Sequence, residues 1–197
     1  MSNLKWNQNH PGWLDGAQWV ESPNFNRRPS IDDVSLLVVH NISLPAGHFS
    51  GDDVQDLFCN QLDLSRHESY KSLDGLRVSA HFFVRRDGLV IQFVSTDDRA
   101  WHAGQSSWLG RSDCNNFSVG VELEGTDYIP YEDVQYDVLL DITRLLRERY
   151  PITAIAGHCD IAPSRKTDPG KSFDWDRFSC QVQQQESSKK DTIRFRY

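Results

Sequence analysis

The apolar residues change rhythm along the chain, and each rhythm predicts an element. Ser35 to Ile42, SLLVVHNI, is a nearly continuous apolar and β-branched run, the pattern of a central strand covered on both faces. Val78 to Ser95 has two β-rich arms around Arg86-Asp87-Gly88 and predicts a hairpin, with Asp-Gly as a two-residue type I′ turn. Ser118 to Glu124 alternates: Val119, Val121 and Leu123 point one way, and Ser118, Gly120, Glu122 and Glu124 the other. Helical spacing appears twice. Val54, Leu57, Phe58 and Leu62 mark a short amphipathic helix, preceded by Ser50 and Asp53 at capping-box spacing. Glu132 to Tyr150 is the strongest helix, with Val134, Val138, Leu139, Ile142, Leu145 and Leu146 as its stripe. Its acidic start and the arginines of its last turns match the helix dipole, and Pro151 ends it. Ile152 to Ala156 is then a short β-prone run that delivers Gly157 and His158.

Between these elements the rhythm breaks. Residues 1–34 read as an irregular strap anchored by Trp6, Trp13 and Trp19. Residues 63–77 form a polar loop carrying Arg66, Lys71 and Arg77, and 99–116 is an irregular excursion whose Trp101 and Trp108 are candidates to line a groove. GHCDIAPSRKTDPG at 157–170 reads as a loop held out of regular structure by Pro163, Pro169 and Gly170. The chain divides into the strap at 1–34, one domain at 35–178 and a polar, mobile tail at 179–197.

Composition narrows the class. With 38% hydrophobic and 25% charged residues the chain has the make-up of a soluble globular protein, and no run approaches the roughly 20 apolar residues of a membrane span. A formal net charge of -7 argues against a nucleic-acid partner. No secretory or lipidation signal is visible at the start, and Cys59, Cys114, Cys159 and Cys180 form no C-x-x-C pair, so reduced thiols and a cytoplasmic location are expected. No membrane or obligate protein partner is inferred.

Candidate chemistry gathers at strand ends. His40 lies near the end of the first predicted strand, His158 follows the last, and Asp168 lies ten residues further in the loop. Two imidazoles and a carboxylate suit zinc, and three protein ligands leave a fourth position for water, as in catalytic sites. Cys159 is the rival ligand; if β geometry continues past Gly157 it points away from His158. Glu122 in mid-strand is placed as a general base, with a solvated sheet carboxylate as the bland alternative. His48 and His67 read as surface histidines, and His81 faces either the site or the core.

VVHNIS at 38–43, SAHFFVRRDG at 79–88, RAWHAG at 99–104, SVGVELEGTD at 118–127 and GHCDIAPSRKTDPG at 157–170 together resemble the N-acetylmuramoyl-L-alanine amidases of the zinc amidase/peptidoglycan-recognition fold, nearest the AmpD type that acts on 1,6-anhydro-muropeptides. The resemblance implies an α/β fold, a central mixed β-sheet flanked by helices with zinc in a groove on one side. It implies one zinc ion on His40, His158 and Asp168, Glu122 as catalytic acid/base, and Lys166 stabilising the transition state. It implies cleavage of the amide between the lactyl group of the muramic sugar and L-alanine of a small muropeptide, in cytoplasmic recycling. Arg77 resembles an anchor for a stem-peptide carboxylate, and Trp101 is a further substrate-binding candidate; His81 and His102 lie in matched blocks with no matched catalytic role and are site-lining candidates. Phage-type relatives carry tyrosine at the position of Ala80 and cysteine at that of Asp168. A non-catalytic peptidoglycan-fragment-binding module is the competing reading, and the presence of the full set of ligands and acid/base disfavours it.

Overall fold

The computed structural model describes residues 3–185 and 193–196. The strap carries short strands β1 (Lys5–Trp6), β2 (Leu14–Asp15), β3 (Gln18–Trp19) and β4 (Phe25–Arg27). The main strands are β5 (Leu36–Ile42), β6 (Phe82–Val84), β7 (Val90–Gln92), β11 (Ser118–Glu124), β12 (Ala154–Gly157) and β13 (Arg194–Phe195). Between them lie β8 (Asp98–Ala100), β9 (Ser107–Trp108) and β10 (Arg111–Ser112). The helices are α1 (Asp53–Phe58), α2 (Asp133–Arg149), α3 (His158–Ile161) and α4 (Trp175–Gln185).

As expected, the centre is a mixed sheet flanked by helices, in the order β13-β12-β5-β11-β6-β7-β3. β12, β5, β11 and β6 run parallel, and β7 returns antiparallel to β6. The continuous apolar run of β5 is explained by its place between β12 and β11, with both faces covered. Leu37 and Val39 of β5, with Val119, Val121 and Leu123 of β11, pack under α2 and α4 in the larger core. Buried Gln135 locks α2 to the sheet, donating to the carbonyls of Val84 and Glu124 at 3.2 and 3.1 Å. On the opposite face Leu36 and Val38 of β5 join Ala154 and Ala156 of β12 in a second, smaller core with Trp108 and Phe117, and the polar His40 and Glu122 lie beyond it towards the carboxyl ends of their strands.

Several local expectations are corrected. Only Gly88 of the 86–88 loop has positive φ, +86°, whereas a type I′ turn needs two such residues. Instead the Gly88 N–H donates to the Arg85 carbonyl and the Arg85 N–H to that of Leu89, a longer loop. The capping box at Ser50 and Asp53 does not form: Asp52 is the cap residue, and the Asp53 carboxylate is taken by Arg66 at 2.5 Å and the Tyr70 hydroxyl at 2.7 Å. Val134 is 38% exposed, outside the buried stripe of α2. The strap is more regular than its sequence suggests, since β3 pairs with β7 and β4 with β8. Trp6 does anchor it, its indole N–H reaching the Leu145 carbonyl at 3.2 Å. Part of the expected tail is ordered: α4 runs to Gln185 and β13 pairs with β12. The tail residues 186–192 and 197 lie outside the described residues.

Candidate metal centre and cleft

Parallel pairing brings the polar residues together. Glu122 of β11 is the register partner of His40 in β5, and Gly157 of β12 is that of Val39, so His158 emerges beside His40. The chain does not continue as a strand past Gly157; His158 opens the helical turn α3. The expected opposition of His158 and Cys159 across a strand therefore does not apply. Cys159 is nevertheless outside the cluster, and burial together with Asp160 pushes its thiol up to about 11, which keeps it protonated.

The 158–170 loop then turns back on itself. The Cys159 N–H donates to the Asp168 carbonyl at 2.9 Å, and the Tyr131 hydroxyl to that of Pro169 at 2.7 Å. Arg165 ties the loop to the carbonyls of Ala103 and Gln105 at 2.7 and 2.8 Å. Asp168 is thereby carried to the two histidines.

His40 Nδ1, His158 Nδ1 and Asp168 Oδ2 form a triangle with edges of 3.0, 3.1 and 3.1 Å. Zinc with bonds of 2.0–2.1 Å in a tetrahedron separates its ligand atoms by about 3.3 Å, so the triangle fits that ion with little adjustment. Among the described residues this is the one such cluster of metal-ligating groups. Burial and the neighbouring His158 push His40 down to about 4, leaving a neutral imidazole at pH 7. Burial opposes ionisation of Asp168, but its contacts with His158 and His40 outweigh it and hold the carboxyl well below the usual range. A neutral imidazole and an ionised carboxylate are the ligand forms zinc requires.

Glu122 sits beside the triangle, its Oε1 4.0 Å from His40 Nδ1. Its Oε2 is buried without a hydrogen-bond partner. Burial, reinforced by Asp168, raises its carboxyl well above the ordinary value. A buried, unpartnered oxygen costs stability, and a catalytic role is one reason for a fold to keep it.

The cluster lies where two lobes of a cleft meet, of about 490 and 730 Å³. Both are bordered by Asn41, Arg165, Lys166 and Asp168. The smaller lobe also contains Glu122, His158, Arg77 and Trp101; Arg77 is exposed on its rim, and the Trp101 indole N–H is held by Asn26 at 2.7 Å. These volumes suit a small ligand. Trp108 is instead buried in the core, and His48 and His67 are exposed.

His81 is fully buried away from the triangle, where its Nδ1 accepts the Gly120 N–H at 3.0 Å and its Nε2 lies 3.0 Å from the buried Arg28. His102 is different: its Nδ1 is 3.0 Å from His40 Nε2. It borders the smaller lobe, as expected of a site-lining residue, although the family resemblance matched it to no catalytic role. The available signal was Ser118-x-Gly120-x-Glu122, a glycine between two inward polar residues, which marks room for a ring.

A parallel-centred mixed sheet that gathers two histidines and a carboxylate in an open cleft defines a class of α/β protein with a site able to hold a metal ion. The model of the N-acetylmuramoyl-L-alanine amidase family matches residues 30–171, and the chain belongs to that family. It is 53% identical over 173 residues, 87% of this chain and 92% of the relative, to the 1,6-anhydro-N-acetylmuramyl-L-alanine amidase AmpD of Citrobacter freundii. A crystal structure of a selenomethionine AmpD derivative superposes with a TM-score of 0.85 at 52% identity, covering 88% of this chain and 98% of that one. Escherichia coli AmiD in complex with the substrate anhydro-N-acetylmuramic acid-L-Ala-D-γ-Glu-L-Lys gives 0.55 at 25% identity, over 92% and 66%.

Proposed function

We propose that the protein hydrolyses the amide joining the lactyl group of 1,6-anhydro-N-acetylmuramic acid to L-alanine of the stem peptide, using one zinc ion held by His40, His158 and Asp168. The observation that carries this reading is the ligand triangle with the unpartnered Glu122 Oε2 beside it. The names of the AmpD relatives and the substrate in the AmiD complex support the anhydro-muropeptide as substrate.

Zinc held there supplies a Lewis acid for the scissile carbonyl and lowers the pKa of water towards 7. Glu122 takes the proton of the attacking water and passes it to the alanine nitrogen as the C–N bond breaks. Burial raises its pKa above the ordinary carboxylate value, which makes it a stronger base than a solvated glutamate. Lys166, which borders both lobes, offers an ammonium to the oxygen on which negative charge develops. Arg77 on the rim offers a guanidinium to a stem-peptide carboxylate, and Trp101 an aromatic wall. We assign the reaction to recycling of wall fragments in the cytoplasm; four cysteines free of disulfides support a reducing compartment.

The test is incubation of purified protein with anhydro-muropeptide and with intact wall, with and without chelator, reading released stem peptide by mass spectrometry. Release from the anhydro-muropeptide alone, lost on chelation and restored by zinc, is expected. Binding without release would make the protein a recognition module, and release from intact wall alone would move it out of recycling.

A further inference from the structure

His102 lies between β8 and β9, and Asn115 holds its backbone: the Asn115 Oδ1 accepts the N–H of His102 at 3.2 Å and of Ala103 at 2.8 Å. The ring rests against Gly120 of β11, where an added Cβ would come within 2.5–2.9 Å of its atoms. Gly120 has no positive φ, so glycine is needed there for space rather than for backbone conformation.

The direction of the hydrogen bonds follows from the far end of the chain. The Cys114 carbonyl can only accept, and the Ser118 hydroxyl donates to it at 2.6 Å. The Ser118 oxygen then accepts from His102 Nε2–H at 3.2 Å. His102 Nδ1 is left with a lone pair and accepts from His40 Nε2–H at 3.0 Å. His40 therefore carries its free lone pair on Nδ1, the atom in the triangle. The next residue does the same for the other imidazole, since the Ala103 carbonyl accepts from His158 Nε2–H at 3.1 Å.

We propose that His102 is a positioning residue: anchored by Ser118 and seated on Gly120, it fixes His40 in the tautomer and ring orientation that present Nδ1 to the metal. Within the dipeptide His102-Ala103, a side chain sets one imidazole and a backbone carbonyl the other. This inference rests on the zinc reading above for its affinity consequence, while the tautomer can be read without any ion.

The experiment combines ¹⁵N NMR of the imidazoles in metal-free protein with zinc affinity from competition against a chelator. Wild type is expected to carry the His40 proton on Nε2. His102→Phe keeps the ring shape but removes the acceptor; the His40 tautomer should shift or mix, and zinc affinity should fall about 10–100-fold. His102→Asn returns an acceptor oxygen near the lost Nδ1 and should recover most of both. Should His102→Phe fail to fold, Ser118→Ala removes the anchor and leaves the ring, and should weaken zinc several-fold. Wild-type affinity in His102→Phe, equal loss in the Asn and Phe variants, or a His40 proton on Nδ1 in wild type would each overturn the proposal. A wild-type protein that takes up no zinc would overturn the metal reading itself, and the affinity part of this proposal with it.

Discussion

Glu122 shows most sharply how a single residue is prepared for chemistry. The residue is only 9% exposed, its Oε2 has no hydrogen-bond partner, and burial, reinforced by Asp168, raises its pKa. Since Glu122 is not in the ligand triangle, Glu122→Ala should keep its zinc by elemental analysis while turnover falls about 10²–10⁴-fold. Unchanged turnover would hand the proton-transfer role to another group. Lys166→Met should lower kcat about 10²-fold with little change in KM, because the ammonium acts on charge that exists only in the transition state. An effect on KM alone would recast Lys166 as a binding residue.

The elements set where these residues meet, and two glycines carry much of that burden. Gly170 closes the loop that returns Asp168; its φ is +79°, and an added Cβ would run into the Asp127 backbone. Gly170→Ala should therefore cost about 1–3 kcal/mol, seen as a lower midpoint in urea unfolding. A midpoint equal to wild type would mean the loop relaxes freely. Gly120→Ala meets only a side chain, but that side chain is His102; the expected result is a folded protein with weakened zinc binding, read by chelator competition. At this scale the sequence was informative wherever local periodicity decides: β5, β11 and α2 were expected as runs, alternations and stripes, and appear at Leu36–Ile42, Ser118–Glu124 and Asp133–Arg149. It was less informative where a distant group competes. The cap before α1 failed because Arg66 and Tyr70 take the carboxylate of Asp53.

For the whole molecule, a metal that joins two strand ends and a loop is also a source of stability. Zinc at a hundred times its dissociation constant adds about 2.7 kcal/mol to a native state that alone binds it. Chelation should thus lower the thermal midpoint and abolish turnover together, and added zinc should restore both; full activity in metal-free protein would sink the mechanism. The apolar rhythms and the order of polar residues along the chain determined which segments become strands and helices, and which carried candidate ligands. They do so because a strand or helix face depends on neighbours two to four residues apart. Only the tertiary structure decided that His40 and His158, 118 positions apart, would point the same nitrogen at one place, that Cys159 would turn aside, and that His102 would orient His40. Those outcomes depend on strand register and hydrogen-bond direction across the sheet, to which no local pattern in the chain responds.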